Sequence, residues 1–335
     1  MKAWTGSPEI TLADEFGKYT VNVTSRIVFG IAPENSAEVG MDLHRDLSTV
    51  FSVLGSRFVS SFQYWRYFRL PKDRRVDDAL ENLKLYIDKM ILQSKKRTAS
   101  EIELRSILDA FINIKDHDNP KIRLSENEIF SNLMTLVLAG EDTTANLMIW
   151  AMYHIGCHPE VKSALEREAI EFRRLGKTFS VDKPFEFLPV AGRVIQESLR
   201  SRSPTPFLMF TALEDTEIEG VSVPKGEKVI LLTRRAQLLD SGSKDLKAFD
   251  PARVLDDSDD DQISISKNRA FGGGARICPG RSMALVESAM LLQRIFERFD
   301  FQLKDTGIPT EEFAFVMRPL ESIRAHLKPH KGSGK

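Results

Sequence analysis

The chain has 335 residues, 42% hydrophobic and 28% charged. That is apolar material for a large core, in one big domain or about two ordinary ones, and it excludes disordered, collagen-like and low-complexity architectures. Lys and Arg number 47 against 48 Asp and Glu, a formal net charge of −1, so charge gives no case for nucleic acid or an anionic membrane as main partner.

The opening MKAWTGSPEI lacks the cationic head and apolar run of a signal peptide. Val23 to Gly30 (VTSRIVFG) reads as a helix in mid-domain. Val76 to Lys96 carries Val76, Leu80, Leu83, Ile87, Met90 and Ile91 near helical spacing. Ser125 and Glu128 make a capping-box pattern that opens a long helix reaching about Ile155, with Gly156 expected to end it and Pro159 to start the next, which runs to about Leu175. The apolar stretch Leu133 to Tyr153 is interrupted by Glu141 and Asp142, two acids that lipid would penalise, so it reads as a buried helix and no membrane span is expected. Phe187 to Arg200 is helical and stops ahead of Pro204 and Pro206.

The pattern then changes. Phe207 to Leu213 and Lys228 to Thr233 are β-rich, with turn signals at Glu219-Gly220 and Pro224-Lys-Gly226 between them. Leu239 to Ala270 is loop-rich, Ser282 to Phe299 is helical, Leu320 to Leu327 reads as a strand, and KPHKGSGK as a frayed tail. Helices followed by a small β-rich part predict a mainly α protein of α+β type, a single domain over 1–335 with a helix-rich part at 1–203 and a β- and loop-rich part at 204–335.

Cys157 and Cys278 are too few for a disulfide framework and point to a reducing compartment, here the cytoplasm. Cys278 sits in Phe271-Gly-Gly-Gly-Ala-Arg-Ile-Cys-Pro-Gly280, just before a helix. Glycines permit tight turns and close approach, and a helix N-terminus favours a thiolate, the form that binds a soft or redox metal. The alternative is an inert cysteine beside a turn; neither phosphate-loop pattern is met. Ala139-Gly-Glu-Asp-Thr-Thr144 puts two acids and two hydroxyls inside an apolar helix. Such groups need partners there, so the stretch either faces solvent or opens a polar notch suited to moving protons. Three Glu-x-x-Arg pairs occur, Glu171/Arg174, Glu197/Arg200 and Glu321/Arg324, and the spacing alone lets each bridge. His154, Cys157 and His158 lack metal-site geometry because Gly156 and Pro159 interrupt them. Asp256, Asp257, Asp259, Asp260 and Asp261 read as a solvated loop.

The segment around Cys278 meets the pattern FxxGxRxCxG at Phe271, Gly274, Arg276, Cys278 and Gly280, and so resembles the haem-binding loop of the cytochrome P450 family. Ala139 to Thr143 is similar to that family's oxygen-activating pattern, with Asp142 as proton-relay acid, Thr143 as alcohol and Glu141 at the variable position. Glu197 and Arg200 resemble its structural pair, with Arg253 of Phe249-Asp-Pro-Ala-Arg as third member. The resemblance implies a P450 fold and a haem b whose iron takes the Cys278 thiolate. Ala139 and Ala284 would lie against that haem, Glu287 would pack on the same helix, and Arg276 would serve as propionate donor, since Phe210 stands where many members have Arg or His. It implies a monooxygenase using O2 and NAD(P)H through a ferredoxin or reductase, on a small apolar substrate lined by Val137, Leu138, Phe207, Leu208, Phe315 and Val316. Lys267, Arg269 and Arg281 would present a basic face to the electron donor. The protein is expected to be monomeric, soluble and bacterial-like, without its family's first roughly one hundred residues. Two other outcomes stay open: an inactive truncated fragment with weak or no haem binding, and a haem-thiolate peroxygenase or isomerase.

Overall fold

A computed structural model describes residues 9–30, 39–58, 60, 62–98, 105–114, 123–180, 183, 185–239, 248–252 and 269–330. The chain falls into two compact units, one of residues 13–145 and 312–316, the other of residues 1–12, 146–311 and 317–335. Helix dominates, with four small sheets among the described residues. Arg253, Lys267 and the acidic run Asp256 to Asp261 lie outside the described residues.

The first unit is helical: α1 (Leu12–Phe29), α2 (Val39–Phe58), α3 (Pro71–Thr98), α4 (Ile107–Asn113) and the start of α5 (Glu126–Cys157). The expected helix at Val23 is the second half of α1, closed by Gly30 at φ 74°, whose N–H donates to Arg26 O at 2.9 Å. Helix α3 begins at Pro71, where the missing N–H costs nothing. Asp73 caps it by accepting from Leu70 N at 2.9 Å and from Arg57 Nη2 at 2.8 Å, and Arg57 holds its carboxyl below the usual range. Val76, Leu83, Ile87, Met90 and Ile91 are buried as their spacing predicts, but Leu80 is exposed and Ala79 takes the inward place. At 100° per residue, positions 79 and 80 lie equally far from the line between 76 and 83, so the spacing alone does not choose between them. The capping box forms: Glu128 N donates to Ser125 Oγ at 3.3 Å and Ser125 N to Glu128 Oε2 at 2.8 Å. A Cβ on Gly55 of α2 would stand 2.6 Å from Ala314 C and Phe315 N, so only glycine admits that backbone.

The second unit holds the rest of α5 with α6 (Pro159–Arg174), α7 (Pro189–Ser201), α8 (Thr233–Leu239) and α9 (Arg281–Arg298). Gly156 does not end α5, contrary to expectation: it lies inside the last turn, where a Cβ would come within 2.3 Å of Leu303 Cγ. Close packing against the sheet, not a left-handed cap, explains that glycine. The predicted strands form β2 (Leu208–Thr211) and β5 (Lys228–Leu231), paired antiparallel. Between them β3 (Thr216–Ile218) and β4 (Val221–Val223) form a hairpin on Glu219 (φ 50°) and Gly220 (φ 79°), the two left-handed residues of a type I′ turn. β1 (Ile10–Thr11), β9 (Arg324–Pro329) and β6 (Phe299–Leu303) make one antiparallel sheet in the order β1-β9-β6. Lys328 and Pro329, expected in a frayed tail, instead pair with Asp300 and Phe299 at the end of β9, and residues 331–335 lie outside the described residues. Among the described residues no helix is long and apolar enough to cross a membrane.

Candidate functional site

The three Glu-x-x-Arg pairs separate by environment. Glu197 is fully buried on α7; Arg200 grips it with Nε at 2.7 Å and Nη2 at 2.6 Å. Arg200 Nη2 also donates to Ala248 O at 3.0 Å, and Glu197 Oε1 accepts from Asp250 N at 3.0 Å. The pair thus fixes the chain at 248–250, on the path to the Cys278 loop. Glu171 and Arg174 have the same two-pronged geometry but are exposed. Arg324 reaches Glu9 and Glu321 takes Thr310, so the third pair does not form.

Phe249, between the two anchored residues, stacks on His154 at 4.1 Å with the rings 5° from parallel. Burial pushes the His154 imidazole down to about 3, so it stacks as a neutral ring. Its Nε2 lies 3.3 Å from Ser201 Oγ, and His158 Nδ1 donates to its carbonyl at 2.7 Å. Those contacts give the histidines a packing role on the Phe249 segment.

The cysteine loop is a sequence of tight turns. Gly272 and Gly274 sit at φ 72° and 62°, the left-handed region that disfavours any side chain. Cys278 N donates to Phe271 O at 2.9 Å, which closes the loop, and Ile277 N to Gly274 O at 3.2 Å. Gly280 caps α9, and Ala284 N donates to Gly280 O at 2.9 Å. Cys278 is exposed, and a Cβ on Gly280 would fill the space 3.8 Å from its Sγ. Gly273 and Gly274 border open space, and Arg276 is exposed. The sulfur is therefore offered outward from a hydrogen-bonded turn, not packed into a core. Phe210, in β2, is 46% exposed. Glu287, two turns into α9, is buried with neither oxygen partnered, and burial pushes its carboxyl up to about 8.

The acid–alcohol stretch belongs to the other unit. Ala139 is exposed, Asp142 and Thr143 are half-buried, and Thr143 Oγ1 donates to Ala139 O at 2.7 Å. Glu141, expected at a variable position, is buried to 2% and shares a 2.7 Å hydrogen bond with His44 Nδ1 of α2. Burial raises the Glu141 carboxyl; the bond to Glu141 raises the His44 imidazole. Sequence reading misses His44, a lone histidine 97 residues from its partner. Of the apolar residues expected to line a pocket, Val137 is buried in the helical core of this unit and Phe315 stacks toward Phe51 at 5.8 Å.

The family model described as Cytochrome P450 matches residues 1–323. Steroid 21-hydroxylase of Sus scrofa is 25% identical over 342 residues, covering 100% of this chain and 64% of that protein. Sterol 26-hydroxylase, mitochondrial, of Rattus norvegicus is 30% identical over 256 residues, 74% of this chain and 47% of that one. Cyclooctatin synthase of Streptomyces melanosporofaciens is 29% identical over 329 residues, 96% and 69%. The crystal structure of the cytochrome P450DA heme domain superposes with a TM-score of 0.81 at 21% identity, covering 98% of this chain and 70% of that one, which makes the fold the same. The chain spans about half to two thirds of the length of most curated relatives it matches. With the family model matched over nearly the whole sequence and the fold shared, the chain belongs to the cytochrome P450 family.

Proposed function

We propose that this chain is a haem-thiolate monooxygenase that inserts one oxygen atom from O2 into a small apolar organic substrate, with electrons from NAD(P)H through a ferredoxin or reductase. The observation that carries the reading is the setting of Cys278: an exposed thiol on a tight loop that left-handed glycines permit and the Cys278 N–Phe271 O bond closes, at the head of α9. These residues fit haem. The donor is a soft sulfur beside space that a side chain at 280 would fill, and Arg276 is free of burial to meet a propionate. Bound haem supplies dioxygen activation, which a thiolate ligand promotes by pushing electron density toward O–O cleavage.

The remaining roles belong to the chain. Phe271 holds the loop closed through its carbonyl, and Gly274, Gly280 and Ala284 keep bulk away from the sulfur and the first turn of α9. Glu197 and Arg200 keep the preceding segment in place, with Arg253 as their third member. Thr143 spends its hydroxyl hydrogen on the Ala139 carbonyl, so its lone pairs are left to accept a proton-bearing group, and Asp142 beside it is the proton source. Arg269 and Arg281, with Lys267, flank the loop as a docking face for an acidic donor. Two relatives are by name hydroxylases of steroids and sterols, apolar skeletons that agree with the substrate class. In this reading the protein works as a monomer in the cytoplasm, whose reducing milieu keeps both cysteines as thiols.

The test is the spectrum of haem-supplied protein, reduced and treated with CO. The red-shifted thiolate Soret band is expected, and it disappears in Cys278→Ala. No band, or a band that survives the substitution, overturns the reading. Thr143→Ala should then uncouple NAD(P)H oxidation from product; unchanged coupling would favour a peroxygenase or isomerase.

A further inference from the structure

Next to Asp142 stands a carboxyl that the proposal above leaves without a role. Glu141 is buried to 2%; its Oε2 has no partner and its Oε1 has one, His44. The His44 ring occupies a space that exists because residue 17 is glycine: a Cβ there would stand 2.4 Å from its Cε1. One residue before Glu141, a Cβ on Gly140 would lie 3.0 Å from Thr24 Oγ1. Helix α1 thus meets α2 at Gly17 and this turn of α5 at Gly140, two close approaches that each depend on a missing side chain. The turn itself is soft, since glycine disfavours helix and the Thr143 hydroxyl competes for a backbone carbonyl. Its anchor is the one hydrogen bond that a buried carboxyl can scarcely forgo.

We propose that His44 is a positioning residue: seated against Gly17, it anchors Glu141 and thereby holds the turn that presents Asp142 and Thr143. The consequence for catalysis rests on the monooxygenase reading; the anchoring does not. Besides Glu141, His44 faces the charges of Asp14 and Lys18 on α1. The bond to Glu141 keeps the imidazole protonated above its ordinary range, and burial keeps the carboxyl protonated above its own. The pair therefore holds its shared proton to higher pH than a free imidazole would, and the anchor loosens as pH rises past that range.

Hydrogen exchange on the whole protein tests this without turnover. In His44→Ala, amides 139–144 should exchange about tenfold faster while 146–157 and the middle of α3 keep their protection. His44→Gln, which keeps a donor without a titrating ring, should restore most of it. After correction for intrinsic rates, protection of 139–144 in the natural chain should fall as pH rises above the ordinary imidazole range and stay flat in His44→Gln. If His44→Ala does not fold, that pH comparison alone decides. Unchanged exchange at 139–144, an equal loss everywhere, or the same pH dependence in His44→Gln overturns the proposal. In reconstituted enzyme His44→Ala should lower product per NAD(P)H while leaving the substrate-induced spectral affinity as it was. A missing thiolate Soret band would sink the monooxygenase reading and leave the exchange result standing.

Discussion

Two Glu-x-x-Arg pairs with one geometry offer a controlled comparison. Arg174 and Arg200 each hold their glutamate through Nε at 2.7 Å and Nη2 at 2.6 Å. They differ in surroundings. The side chains of Arg174 and Glu171 are 68% and 50% exposed, those of Arg200 and Glu197 11% and 0%. Arg200→Met takes the two-pronged partner from a buried carboxylate and removes the donor to Ala248 O. Removing one partner of a buried pair costs about 3–5 kcal/mol. Arg174→Met loses an exposed pair worth about 0.2–1 kcal/mol. With an unfolding entropy of about 0.7 kcal/mol/K for a chain this long, the first should lower Tm by about 4–7 °C and the second by about 1 °C or less. Replacing both members, Glu197→Leu with Arg200→Met, should recover part of the loss because no charge is left buried. Thermal unfolding followed by far-UV circular dichroism measures all three. If Arg200→Met is as mild as Arg174→Met, burial is not what makes the pair a lock.

Two further outcomes are expected. Glu287 has a folded pKa of about 8 against an ordinary 4.5, because burial disfavours its charge. The folded state then binds the proton more tightly, so its contribution is full below about pH 4.5 and lost as pH rises through about 8. Glu287→Gln should flatten that slope and at alkaline pH be the more stable protein by about 3–5 kcal/mol; parallel stability–pH curves for the two would refute it. Gly55→Ala would drive a methyl into the Ala314–Phe315 backbone, which cannot swing aside as a side chain can, and Phe315 already holds φ 75°. A loss of about 2–3 kcal/mol in denaturant unfolding is expected, and a neutral result would show that the 312–316 segment yields freely.

What the sequence makes legible here is local. Ser125 and Glu128 are three residues apart, so their capping box is decided within one turn, and it forms. Glu219-Gly220 marks a hairpin because a two-residue type I′ loop needs left-handed backbone at both positions, which glycine supplies readily. The glycines around Cys278 are legible for the same reason: at φ 72° and 62° the backbone itself asks for them. Long-range demands are hidden. Gly156 looks like a helix end until Leu303 is seen against it, 147 residues later in the chain. The stripe on α3 is readable, yet its phase is not: Leu80 and Ala79 differ by one position, and the neighbouring helices choose the smaller residue. Helix α8 has only the seven residues Thr233–Leu239, too few to show a period, and its hold is tertiary: Arg234 reaches Ser201 O at 2.9 Å and the Glu311 carboxylate.

The same distinction governs the motif in α5. A pattern that leaves position 141 open is a statement about chemistry at a reacting centre, where the proposed function gives Asp142 and Thr143 roles and their neighbour none. Packing is indifferent to that division. Three successive residues of a helix point about 100° apart, so a turn that shows two polar side chains to one side must put the third into its neighbours. In this chain the third is Glu141, and a carboxyl sent inward must be met. The meeting takes His44 from one helix and a glycine from another to make room for the ring. A glutamate at 141 thus commits positions 17 and 44 as well, a dependence set by burial of charge and independent of what Asp142 and Thr143 do.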